Sequence, residues 1–169
     1  ALRLKRVLLF KPDATGEQRA ALLNAILRED NLPQASAGVL DLMLDEALKR
    51  TNLALAVKAA ETIIRDFTET DYALSARMFL ARQAIQDGDH ETAIKHLNVI
   101  KEVFATSSEA AEALMMLGDL YVKLGEYEKA DDCYKKVLSV REWRGPLWPA
   151  ALYGRGECAR MQRKLDEAC

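Results

Sequence analysis

The sequence predicts an all-α fold: antiparallel helix pairs stacked one on the next. Three observations predict it. Residues 111–142 hold two amphipathic segments meeting at Gly125. Leu114, Leu117, Gly118 and Tyr121 recur at helical spacing on the first, and Tyr127, Ala130, Tyr134 and Val137 do so on the second. The pattern then repeats. Ala56, Ala93 and Ala130 are 37 residues apart and Ala168 follows 38 later, Gly88 stands 37 before Gly125, and Leu44, Ala81, Gly118 and Gly156 run down one register. Finally, a lone hairpin of about thirty residues buries too little surface to stand alone, so each copy needs a neighbour.

In chain order, residues 1–11 carry Leu2, Leu4, Val7, Leu8 and Phe10, read as a short helix although an edge strand fits the same spacing. Pro12 ends it. Thr15 caps a second helix to about residue 30, with Ala21, Leu22, Ala25, Ile26 and Leu27 on its apolar side, broken at Asn31-Leu32-Pro33. Residues 1–36 are thus a worn first hairpin or the end of a preceding one. Helix pairs follow at 37–73, 74–110 and 111–148, and a further one opens at 149–169 after the irregular RGPLWP linker. Asp89 and Ser107 suit N-caps, and Gly88 suits the left-handed close of the helix before it. The chain begins without methionine and stops just inside a helix, which reads as a piece of a longer protein.

These residues resemble the tetratricopeptide repeats, whose motif has a large apolar residue, Leu then Gly, an aromatic, then Tyr and Ala on the second helix. Leu114, Leu117, Gly118, Tyr121, Gly125, Tyr127, Ala130 and Tyr134 match nearly throughout. The 74–110 copy keeps Leu80, Ala81, Ala84, Gly88, Ala93 and Leu97 but has Arg77 at a large apolar position. The 37–73 copy is degenerate, with Leu44 at the small position, and the last copy has Arg155 where Leu is expected. The closing proline is replaced by Thr68, Ala105 and Glu142. The resemblance implies a right-handed superhelical array whose concave wall, lined by the first helix of each pair, binds a peptide segment or partner protein.

Composition narrows the function. A formal charge of −2, from 24 basic and 26 acidic side chains, gives no electrostatic case for nucleic acid, and no apolar run is long enough to span a membrane. Cys133, Cys158 and Cys169 show no metal or redox spacing, a usage that slightly favours a reducing, cytoplasmic compartment. His90 and His96 are six apart, on different sides of a helix, so they do not form a metal pair. Gly154-Arg155-Gly156 lacks the preceding strand of a phosphate loop. The expectation is a non-catalytic protein without metal or cofactor.

The resemblance marks the groove positions as Asp41, Asp45, Met78, Arg82, Met115, Asp119, Tyr153 and Glu157, with Lys49, Gln86 and Lys123 one turn further on. A clamp for a terminal carboxylate, which the chaperone-tail-binding members build there, is not expected because the equivalents are acidic or apolar. Asp45, Asp119 and Glu157 instead suggest a partner with Lys or Arg beside a hydrophobic anchor. Met115 and Met116 are adjacent, so one of them faces outward or into the groove. Trp143 and Trp148 staple the linker or anchor an interface. Competing readings are a regulatory or structural arm of a larger protein, self-association through an open end, and a module of bacterial cell-envelope assembly. The last rests on the repeat length and on FTETDYALSARMFLARQ, which resembles envelope repeat proteins.

Overall fold

The computed structural model describes residues 15–168. The apolar stretch at 1–11 and Cys169 therefore lie outside the described residues, as do the side chains of Leu165 and Ala168. Eight α-helices make up the described chain, with no strand among them: α1 (Gly16–Ile26), α2 (Ala37–Lys49), α3 (Leu53–Asp66), α4 (Asp71–Gln86), α5 (His90–Val103), α6 (Ser108–Lys123), α7 (Tyr127–Ser139) and α8 (Leu147–Ala168). Short 3₁₀ turns lie at Glu29–Gln34 and Arg141–Trp143. The chain divides into two compact units, one ending at Leu80 and one beginning at Ala81, so the division falls inside α4.

In the first unit, α1 opens with a capping box. Gln18 N–H donates to Thr15 Oγ1 at 3.3 Å, and Thr15 N–H to Gln18 Oε1 at 3.1 Å. The helix stops at Ile26, four residues short of the sequence expectation, because the Asn31 amide donates to the carbonyls of Ala25 and Ile26 at 3.0 and 3.1 Å. That turn drops Leu32 into the core. The core itself is the facing stripes of α2 and α3, including Leu40, Met43, Ala47, Ala56, Ala59 and Ile63, all with no exposed surface.

The turns joining the helix pairs share one geometry at the 37-residue period. Thr51, Gly88 and Gly125 all have positive φ, at 56°, 77° and 75°. In each turn the next residue's N–H reaches back five residues: Asn52 to Ala47 O, Asp89 to Ala84 O and Glu126 to Tyr121 O, each at 2.8 Å. Thr51, Gly88 and Gly125 N–H bond three residues back. These are the paired bonds of a Schellman close. Asn52 and Asp89 then cap the following helix, accepting from Leu55 and Thr92 N–H at 3.2 and 3.0 Å. Glu126 makes no such cap bond and pairs instead with Lys129.

In the second unit α6 packs on α5 and α7, and α8 packs on both α7 and α6. Ala93, Leu97 and Ile100 give α5 a stripe with no exposed surface, and Leu114, Leu117 and Leu120 are buried on α6. At the centre lies Tyr134, 2% exposed. A Cβ at Gly118 would stand 2.5 Å from Tyr134 Cε1, and one at Gly154 2.7 Å from Cε2. The ring therefore has one edge against α6 and the other against α8, and both helices need a bare Cα there. Sequence register pointed to Gly156 as the small position of the last copy, but Gly156 meets nothing within 4 Å. The residue that receives the ring is two positions earlier. Arg155 Nε, bonded to Asp131 Oδ1 on α7 at 2.7 Å, and buried Cys158 fix α8 on that side.

Thr51 is a β-branched residue in a conformation that costs it roughly 1–2 kcal/mol. Thr51→Gly should raise unfolding stability by about 1 kcal/mol after the added chain entropy of glycine, read from urea midpoints. An unchanged or lowered midpoint would contradict the strain. Gly154→Ala should cost about 1–3 kcal/mol by overpacking against Tyr134. Gly156→Ala, in an open helical position, should be neutral or add up to about 1 kcal/mol.

Candidate functional site

The C-terminal part of α4 and the outer face of α6 enclose a cleft of about 330 Å³. Arg82, Ile85 and Gln86 line it from α4, and Met116, Asp119, Leu120 and Lys123 line it from α6. Both sets follow the three- and four-residue spacing of one helix face. Leu120 lies at the floor with 1% exposure, while Ile85 and Met116 are half-buried beside it. Polar side chains rim this apolar floor.

Each rim group has its own setting. Arg82 Nη2 reaches Glu112 Oε1 on α6 at 2.6 Å, an exposed ion pair across the mouth of the cleft. Asp119 Oδ1 accepts the phenolic O–H of Tyr134 at 2.7 Å. Lys123 is exposed and makes no ion pair among the described residues. Gln86 and Lys123 are the last residues of α4 and α6.

The cleft brings together Arg82, Asp119 and Lys123 of the sequence-marked positions, with Gln86 beside them. Met115 does not line it: at 9% exposure it belongs to the buried side of α6, and its neighbour Met116 faces the cleft. The reason is that α6 is covered by α5, α7 and α8, which widens its buried arc past the marked position. Tyr153 and Glu157 lie on α8 and are not among the lining residues. Tyr153 is 72% exposed, and Glu157 is paired with Arg160. Met78 is buried at 3% exposure in the unit ending at Leu80, where Asp45 is exposed and Asp41 half-buried. Ile85, Met116 and Leu120 were not marked by sequence. Reading one helical face outward from Arg82 and Asp119 would have found them.

The remaining chemistry-bearing side chains sit elsewhere. Burial pushes the Cys133 thiol up to about 11 and raises that of Cys158, so both buried sulfurs are poor nucleophiles. Among the described residues no three His, Cys, Asp or Glu side chains are grouped to hold a metal ion, and no helix is long and apolar enough to cross a membrane. Arg144 stacks on Trp148 at 4.5 Å in the linker, with both tryptophans half-buried.

Residues 72–143 match the family model of the tetratricopeptide repeat, a span that contains the whole cleft. The helices of the described residues, with no strand among them, fit the helical solenoid of that family. No curated protein matches the chain.

Burial first, and the carboxylate of Asp119 second, hold the Tyr134 phenol well above its usual value. The folded state thus retains a proton that the unfolded chain releases above pH of about 10, so stability is full below that pH and falls as pH rises through it. Tyrosinate absorbance should show Tyr134 ionising only as the helices melt. Ionisation of all five tyrosines with helix content intact would refute this. Tyr134→Phe should cost about 1 kcal/mol at neutral pH through the lost hydrogen bond and flatten the alkaline slope.

Proposed function

We propose that the tetratricopeptide repeats of residues 72–143 are a non-catalytic protein-interaction module, and that the cleft between α4 and α6 grips a peptide segment of the partner. The match supports the coarse part, since the family is in general a non-catalytic interaction domain. The observation that carries the finer part is the apolar floor, half-buried Ile85 and Met116 beside buried Leu120, between two helices that the Arg82–Glu112 pair bridges at the surface. One apolar side chain of a bound segment fits a hollow of this size, and its burial contributes roughly 1.5–3 kcal/mol. The rest of the affinity comes from polar contacts along the rim. A preformed hollow loses little on binding, which favours recognition of short segments.

Peptides selected from a random library on the whole chain should shift the amide resonances of residues 82–86 and 116–123. Met116→Glu, at a half-buried position that leaves the core intact, should weaken them at least about tenfold. Binding with shifts confined to other surfaces, or indifferent to Met116→Glu, would rule out the cleft.

A further inference from the structure

The rim of the cleft has a charge arrangement different from the one its residue types suggest. Counted from sequence, Asp45, Asp119 and Glu157 make an acidic rim, with Arg82 the exception, that calls for a basic partner. In the structure Glu157 is paired with Arg160 and is not among the lining residues. Asp119 has one oxygen occupied by the Tyr134 phenol. The lining charges that remain are Arg82 and Lys123 against Asp119, and Arg82 is neutralised at 2.6 Å by Glu112. Lys123 is the cleft cation left without an ion pair among the described residues.

Lys123 also has a second donor for company. Gln86 lines the same cleft from the last position of α4, as Lys123 does from the last position of α6. An ammonium and a carboxamide together offer a carboxylate up to five N–H donors, and neither is held by another acceptor across the cleft. An incoming cation would meet the unpaired ammonium of Lys123, with the free oxygen of Asp119 to receive it. An incoming carboxylate finds Lys123 and Gln86.

We infer that the partner segment carries an Asp or Glu close to a large apolar residue, the apolar side chain seated on Ile85, Met116 and Leu120 and the carboxylate bound by Lys123 and Gln86. The inference rests on the docking function proposed above and specifies the chemistry of what docks.

The test uses the whole chain and a random-peptide phage library, followed by synthetic copies of the enriched peptides titrated by fluorescence anisotropy. Enriched peptides should place Asp or Glu within a few residues of Leu, Met or Phe. Lys123→Glu should weaken them roughly three- to tenfold, and affinity should fall as salt rises. Lys123 is exposed, so its substitution leaves the fold intact, which helix content and the unfolding midpoint check. Enrichment of Lys or Arg beside the apolar residue, or an affinity unchanged by Lys123→Glu among peptides that Met116→Glu abolishes, overturns the acidic partner while leaving the docking site standing. Failure to enrich any peptide, or peptides indifferent to Met116→Glu, removes the docking site and this inference with it.

Discussion

One phenol ring sets the spacing of three helices. Tyr134 stands between Gly118 and Gly154, with opposite ring edges where two Cβ atoms would otherwise lie. A ring bounded on both sides cannot swing away from an added methyl, so the fit is rigid. Its oxygen then reaches Asp119, which lines the cleft. The side chain that fills the interior between α6, α7 and α8 therefore also orients a wall residue of the candidate site. Interior packing and the wall of the candidate cleft are joined through this one hydrogen bond.

Much of the fold was legible because the period was carried by residue types with a single physical use. Alanine at 56, 93 and 130 is buried in the structure with no exposed surface, and Gly88 and Gly125 adopt the left-handed turn their spacing suggested. The starts of α5 and α6 follow for the same reason, since Asp89 and Ser107 are caps by side-chain chemistry. Elsewhere chemistry was indifferent to register. Gly154 and Gly156 are two apart on one helix, and only the tilt of α8 against Tyr134 decides which receives the ring. The early end of α1 depended on the Asn31 amide folding back to two carbonyls, which no periodicity encodes.

The candidate site was less legible, again for stated reasons. Arg82, Asp119 and Lys123 were readable from their places on the first helices. Met115 against Met116 was not, because adjacent residues differ by a hundred degrees of helix and the width of the buried arc depends on how many neighbours cover α6. The charge of the candidate cleft could not be read from residue types for a related cause. Formal charges add in a sequence, whereas Glu112 and Arg82 meet across 30 residues of chain and Arg160 sits one turn from Glu157. The cleft's electrostatics are set by the charges left after those pairings.

The three left-handed turns carry a consequence for how the chain acquires its shape. Their closing hydrogen bonds reach back only five residues, at Ala47, Ala84 and Tyr121. Structure made of such nearby pairings has low contact order, and nucleation can begin at any of these corners and spread outward by adding the adjoining helices. A lesion in one hairpin is then felt first by its immediate neighbours, which depend on it for burial of their own faces.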